Sequence, residues 1–153
     1  MVLKRNVWIM RKERKAYQNA KVRGLRAYYA KDLTEEVVCD IKGFLVFLKK
    51  RYYFPVRCNI YFKNAKNLTE GTRSKGLFYV PDEERKYPRI EVSCDVFKFW
   101  NEDDIYYSLV RLLTYYYQWY FASEDERSNR SLEIEATKQA KLLVDEYLNE
   151  KLS

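Results

Sequence analysis

The stretch IYYSLVRLLTYYYQWYFAS, residues 105–123, decides the fold class, because Arg111 is its only charged residue. A segment this long and this apolar is typical of a helix that is buried at the centre of a domain. The preceding Asn101-Glu-Asp-Asp104 supplies a capping side chain and three acids, which favour a helix start because the helix dipole stabilises negative charge there. The sequence therefore predicts a central helix from about residue 101 to Phe121.

Helical spacing also occurs before this segment. Residues 11–30 have apolar side chains available for one side of a helix, although Gly24 interrupts them. Residues 32–53 have a clearer apolar stripe, with a capping-box-like sequence at Asp32 and Pro55 just beyond the end. Two N-terminal helices are predicted.

The hydrophobic period changes in the middle of the chain. Residues 56–63, 76–80 and 88–94 are rich in β formers and predict three strands. After the central helix and a polar connector, residues 132–150 return to helical spacing. The sequence thus predicts an α+β domain with N-terminal helices, a small three-stranded sheet, a buried helix and a C-terminal helix.

The 153 residues include no histidine. This composition excludes catalysis in which imidazole is the zinc ligand or the base. Cys39, Cys58 and Cys94 are widely spaced and odd in number, which predicts buried reduced thiols in a cytoplasmic protein rather than a zinc set. No apolar run approaches the roughly 18 residues that a membrane span needs. We therefore expect a cytoplasmic protein without a cofactor or a membrane span.

Positive charge is concentrated in residues 1–31, which hold ten Lys or Arg and one acid, Glu13. The net charge of +7 therefore belongs to this segment, since residues 32–153 hold 19 basic and 21 acidic side chains. We divide the chain into a basic N-terminal arm or helix, residues 1–31, and a domain of residues 32–153. Such an arm favours an anionic partner, nucleic acid among them, while a solvated helix that covers the acidic body is an equal alternative. The candidate nucleic-acid contacts are Arg11, Lys12, Arg14, Lys15, Lys21, Arg23 and Arg26.

Within the central helix, Arg111-Leu-Leu-Thr-Tyr115-Tyr-Tyr-Gln118-Trp119 resembles the motif helix of small zincin-type metallopeptidases, the group of SprT-like and ImmA-like domains in phages and bacteria. In that family the helix carries His-Glu-x-x-His, and the last helix supplies a glutamate ligand within Glu-x-Glu-Ala. Here Glu133-Ile-Glu135-Ala136 stands at the corresponding place. The resemblance covers about residues 32–150 and implies a zincin-like domain.

All three motif positions depart from the family. Position 111 is arginine, a permanent cation that repels Zn²⁺. Position 112, where the family has its general base, is leucine, and position 115 is tyrosine, a poor zinc ligand at neutral pH. Of the expected ligands only Glu133 remains. The resemblance therefore implies a degenerate member without a metal site, in which catalytic residues are absent.

Arg111 stands alone among apolar neighbours, and a buried guanidinium without a partner is costly. We therefore predict that Arg111 forms an ion pair with Glu133, or less favourably with Glu135, and that this pair replaces the metal between the last two helices. Tyr115, one turn further on, is expected to bond the same carboxylate. The alternative is that Arg111 reaches solvent.

These observations predict a regulatory pseudoenzyme of a phage or mobile element that binds a protein or an extended peptide. Strand addition at a sheet edge needs no metal, and residues 76–80 and 88–94 are the candidate edges. The alternative is a nucleic-acid-associated protein that binds through residues 1–31. A weaker alternative is a hydrolase of the zinc metallopeptidase family with an atypical site.

Overall fold

The chain folds into a four-stranded sheet and four helices, as seen in a computed structural model that describes residues 6–17, 23–65, 75–94, 102–122 and 128–152. A short 3-10 helix spans Arg11–Tyr17. The strands are β1 (Leu25–Tyr29), β2 (Cys58–Lys63), β3 (Gly76–Tyr79) and β4 (Arg89–Ser93), and the α-helices are α1 (Glu35–Arg51), α2 (Glu102–Tyr120) and α3 (Asn129–Leu152).

The strand order in the sheet is β1-β2-β4-β3. β1, β2 and β4 are parallel, whereas β3 runs antiparallel to β4. The predicted α+β class is confirmed, but the sheet has four strands rather than three. The strand that the sequence did not predict is β1, which pairs with β2 from Leu25 opposite Cys58 to Tyr29 opposite Phe62.

The predicted helix over residues 11–30 is wrong for Leu25–Tyr29, which is a strand, whereas Arg11–Tyr17 is a short 3-10 helix and residues 18–22 lie outside the described residues. Gly24 provides the physical reason. Its φ of 94° lies in the left-handed region, which glycine adopts without the steric cost of a Cβ atom. The backbone N–H of Gly24 donates to the carbonyl of Phe54 at 3.0 Å, and its carbonyl accepts from Cys58 at 3.0 Å. These bonds align the next residues with β2, so the chain enters the sheet instead of a helix.

α2 packs on one face of the sheet, against β3 and β4, and α1 and α3 pack on α2. That face carries the buried side chains Leu25, Cys58, Ile60, Phe62, Ile90 and Val92. Phe44 of α1 stacks on Tyr106 of α2 with ring centroids 4.6 Å apart, and Phe47 of α1 contacts Tyr147 of α3 at 5.0 Å. α2 lies between the sheet and α3, which makes it the central buried helix that its sequence predicts.

The N-terminal segment also belongs to the core. Val7, Trp8 and Ile9 are buried, and the indole N–H of Trp8 donates to the Thr114 hydroxyl of α2 at 2.9 Å. A buried indole needs such a partner, since an unpaired polar group inside a protein is costly. This bond fixes the first described residues against the middle of α2.

The start of α1 differs from the sequence prediction by a few residues. Thr34, not Asp32, caps this helix, and its hydroxyl accepts from the backbone N–H of Val37 at 3.2 Å. The helix ends at Arg51, close to the predicted Tyr53. A threonine hydroxyl satisfies an otherwise unpaired amide of the first turn, which explains why the helix begins there.

Candidate functional site

The motif-like residues Arg111, Leu112 and Tyr115 all lie on α2, and Glu133 and Glu135 lie near the start of α3. Arg111 and Tyr115 are one helical turn apart, and Nη2 of Arg111 donates to the Tyr115 hydroxyl at 3.3 Å. Arg111 is exposed and Tyr115 is half-buried. The arginine is therefore at the surface of α2 and not within the core.

The predicted ion pair of Arg111 with Glu133 or Glu135 is not formed among the described residues, which include all three side chains. The prediction assumed that Arg111 is buried, and its exposure removes the desolvation penalty that would drive pairing. Glu133 is also exposed. The alternative, that Arg111 reaches solvent, describes this side chain.

Gln118 makes the link between α2 and α3 that was predicted for Arg111. Its side-chain N–H group donates to the backbone carbonyl of Leu132 at 2.9 Å and to the carboxylate of Glu135 at 2.8 Å. Gln118 is buried, so these bonds satisfy a polar group that would otherwise be costly there. The sequence placed Gln118 in the motif-like segment as a scaffold position, without indicating its bonds to α3. The available signal was its position as the only amide among aromatic residues.

Leu112 occupies the position at which the family that the motif resembles has its general base. Its side chain is 5% exposed and packs beneath β3 at Gly76. A Cβ atom at Gly76 would lie 2.7 Å from Cδ1 of Leu112. Strand and helix are therefore in direct apolar contact at the point where hydrolysis would need a carboxylate and a water molecule.

These side chains do not fit a zinc ion. Arg111 presents a cation, Leu112 presents no donor atom, and the Tyr115 hydroxyl accepts a hydrogen bond from Arg111. Among residues 6–17, 23–65, 75–94, 102–122 and 128–152, no three His, Cys, Asp or Glu side chains are grouped so that they could hold a metal ion.

The aromatic run in the second half of α2 holds the fold together. The hydroxyl of Tyr116 accepts from the backbone N–H of Val56 at 2.9 Å, and the hydroxyl of Tyr117 donates to the carbonyl of Tyr53 at 2.7 Å. Burial raises the pKa of Tyr116 and of Tyr117 well above the ordinary value. Both hydroxyls therefore stay protonated near neutral pH and anchor the segment between α1 and β2.

Of the two predicted edge strands, only β3 lies at an edge, since β4 is placed between β2 and β3. Among the described residues, β4 is the sole strand that pairs with β3. The backbone N–H of Ser93 donates to the carbonyl of Lys75 at 2.8 Å. Lys75 and Ser93 therefore form a hydrogen-bonded pair next to the pair Gly76 and Val92 of the antiparallel ladder. Because such pairs alternate along an antiparallel ladder, Gly76 and Phe78 direct their backbone N–H and C=O groups toward the free edge.

The residues of the basic arm divide between two structural elements. Arg11, Lys12, Arg14 and Lys15 lie in the 3-10 helix, where Nε of Arg11 donates to the backbone carbonyl of Lys49. Arg23 precedes β1 and Arg26 lies on it, whereas Lys21 lies outside the described residues. Since Leu25–Tyr29 is a strand of the sheet, the basic segment is partly integral to the fold.

Comparison with known proteins adds no relative: no protein-family model, no curated protein and no solved structure matches this chain. In the part of the chain that the structure describes, none of the helices has both the length and the apolar character needed to cross a membrane. The inferences about function therefore depend on the residues and their geometry.

Proposed function

We propose that this protein is a catalytically inactive, metallopeptidase-like module that binds an extended peptide or protein segment by strand addition at β3. The observation that carries the proposal is the free edge of β3, at which Gly76 and Phe78 direct backbone donors and acceptors outward. An added strand would satisfy these groups by main-chain hydrogen bonds, which give affinity without requiring a particular sequence.

The neighbourhood of α2 supports a zincin-like arrangement. In the family that the motif resembles, an extended substrate runs along a sheet edge beside the motif helix. Here β3 contacts α2 through Gly76 and Leu112, so the free edge and the motif-like positions are close together. Arg111, the residue before Leu112, is exposed and favours a bound segment with an acidic side chain.

The side chains at the motif positions support binding without hydrolysis. Leu112 cannot accept a proton from water, and the Arg111 cation opposes a metal ion. A regulatory module that retains the peptide-binding edge and lacks the catalytic groups would hold a segment without cleaving it. Such a module can compete with an active peptidase or present the segment to another protein.

Selection of binders from a library of random peptides, followed by amide hydrogen exchange on the complex, tests this proposal. We expect the amides of Gly76 and Phe78 to become protected, because they point to the free edge. The amides of Leu77 and Tyr79 already pair with β4, so their protection should change little. The selected peptides should remain intact.

Two matched arginine variants distinguish peptide binding at β3 from nonspecific electrostatic attraction of an acidic peptide to a basic protein. Arg111→Gln should lower the affinity for a selected acidic peptide. Arg130→Gln, at an exposed position on α3, should leave that affinity unchanged. Peptides whose binding protects amides elsewhere but not Gly76 and Phe78 would contradict strand addition. Cleavage of the peptides by the purified protein would contradict the inactive assignment.

A further inference from the structure

The second face of the sheet carries an aromatic and cationic cluster that has no part in the proposed peptide site. Tyr28 of β1 and Tyr61 of β2 are direct partners in the parallel register. Their rings stack with centroids 4.8 Å apart and planes 13° from parallel. On the β4 side of Tyr61, the guanidinium carbon of Arg89 lies 3.9 Å from the ring centroid. Three flat groups therefore form one continuous stack across β1, β2 and β4.

This stack ends at an accessible ring. Tyr28 is 42% exposed even though Tyr61 covers one of its faces. The side chains of Glu91 and Ser93 on the same sheet face are buried, so the open part of the face lies over β1 and β2. A further planar group can therefore extend the stack at Tyr28, next to the sheet edge formed by β1.

Two arginines that lack an ion-pair partner among the described residues lie near Tyr28. Nη2 of Arg57 donates to the Tyr28 hydroxyl at 3.2 Å, and Nε of Arg57 donates to the side-chain oxygen of Asn59 at 2.9 Å. Arg26 lies two residues before Tyr28 on β1, and it is exposed. Neither Arg26 nor Arg57 forms an ion pair with any of the described residues.

Among the described residues of β1, β2 and β4 there is one carboxylate, Glu91, and it is already neutralised. Glu91 receives Nε of Arg89 at 2.7 Å and Nζ of Lys63 at 3.1 Å, so two cations face one acid. This face of the sheet therefore has a net positive charge, because Glu91 does not balance all of its cations. A ligand that complements this surface has both negative charges and flat, stackable rings.

We propose that the open face over β1 and β2 binds single-stranded nucleic acid, with a base stacked on Tyr28 and phosphates at Arg26 and Arg57. Stacking on aromatic side chains and cations along the backbone are the two features that recur in single-strand binding sites. A duplex hides its base faces, so the single strand is the ligand that uses Tyr28. The proposal is independent of peptide binding, because β1 and β3 are opposite edges of the sheet.

Fluorescence anisotropy with a labelled oligothymidylate of about 12 nucleotides, within the usual site size of one binding fold, tests the proposal on the full chain. We expect binding that weakens steeply between about 50 mM and 200 mM salt, as phosphate contacts require. Tyr28→Leu should lower the affinity about 10-fold, and Tyr28→Phe should retain most of it, since stacking needs the ring and not the hydroxyl.

Charge variants keep the test decisive if Tyr28→Leu fails to fold. Arg26→Gln should weaken binding and reduce the salt slope by about one, the contribution of one phosphate contact. Arg130→Gln, an exposed position on α3 away from the sheet, serves as the matched control and should change neither quantity.

Four results would overturn the proposal. The first is an absence of binding at low salt, and the second is an equal loss of affinity in Arg130→Gln and Arg26→Gln. The third is equal affinity for an abasic deoxyribose-phosphate chain of the same length, which would show that the bases contribute nothing. The fourth is equal affinity for polyglutamate, which would indicate an acidic protein partner instead.

Discussion

Gly76 of β3 approaches α2 so closely that a Cβ atom there would lie 2.7 Å from Cδ1 of Leu112, well inside van der Waals contact. Leu112 is 5% exposed and belongs to the hydrophobic core, so its side chain must shift within packed surroundings to admit a Cβ atom at residue 76. The absence of a side chain at residue 76 thus allows the edge strand to lie directly on the helix that carries the motif-like residues.

Gly76→Ala should therefore destabilise the protein by about 1–3 kcal/mol, the usual cost of forcing an extra group into a packed contact. Leu112→Ala alone should cost about 2–5 kcal/mol because it leaves a cavity. The double variant should be less destabilised than the sum, since alanine at 112 leaves room for the new methyl group. Urea unfolding of the four proteins measures this coupling.

Gly24→Ala provides a control for the effect of alanine at a glycine position. Gly24 has a φ of 94° and no neighbouring atom within 4 Å of a Cβ atom, so its substitution strains the backbone without a clash. Its cost, about 1–2 kcal/mol for a left-handed residue with a side chain, should not depend on Leu112. Additive effects of Gly76→Ala and Leu112→Ala would contradict the contact between strand and helix.

Gln118 and Arg111 make a second pair of contrasting residues on α2. Gln118→Met should cost about 1–3 kcal/mol, because it removes the buried hydrogen bonds to Leu132 and Glu135 while keeping a similar volume. Arg111→Met should change the free energy of unfolding by less than about 0.5 kcal/mol, as is usual for an exposed side chain. Thermal and urea unfolding compare the two. A larger loss of stability in Arg111→Met than in Gln118→Met would indicate that Arg111, and not Gln118, links α2 to α3.

The three α-helices and three of the strands were predictable because local patterns specify them. Residues 105–123 include one charged residue, and the observed helix Glu102–Tyr120 lies within the predicted limits of residue 101 to Phe121. The strands at Cys58–Lys63, Gly76–Tyr79 and Arg89–Ser93 likewise fall inside the predicted segments. Runs of β-forming residues bounded by turns are recognisable without knowledge of their partners.

β1 and the environment of Arg111 were not predictable for a different reason, since both depend on distant residues. Leu25, Ala27 and Tyr29 alternate toward the core, but their pairing partner β2 begins at Cys58, after the whole of α1. A single arginine in an apolar segment does not reveal that one strip of α2 faces solvent. Exposure is set by how the sheet and α3 are arranged around the helix, which hydrophobic spacing alone leaves open.

The three thiols differ in accessibility, which gives a direct check of the arrangement of α1 and the sheet. Cys58 and Cys94 are buried as predicted, but the prediction is wrong for Cys39, which is exposed on α1. Burial also raises the pKa of the two buried thiols, so both accessibility and thiolate content favour reaction at Cys39. We expect rapid modification of one thiol by a disulfide reagent in the native protein and of all three in denaturant. Rapid reaction of the native Cys39→Ser variant would contradict the buried positions.

The two buried thiols also predict how stability changes at alkaline pH. Burial raises the pKa of Cys94 from 9.0 to about 12, and it raises that of Cys58 still further. Below pH 9 both states keep these protons. Above it the unfolded chain releases protons that the folded chain retains, so the free energy of unfolding falls as pH rises. Each thiol should contribute a decrease of about 1.4 kcal/mol per pH unit until its folded pKa is reached.

Urea unfolding between about pH 8 and about pH 9.5 measures this slope, in a range where most tyrosines of the unfolded chain are still protonated. The Cys58→Ala, Cys94→Ala double variant should lose less stability per pH unit than the parent protein, because the unfolded chain then has two fewer thiols to ionise. Cys39→Ala should not change the slope appreciably, since that thiol is exposed in the folded state as well. A slope that is identical in the parent and the double variant would mean that Cys58 and Cys94 ionise equally well in both states, which is incompatible with their burial against the helices.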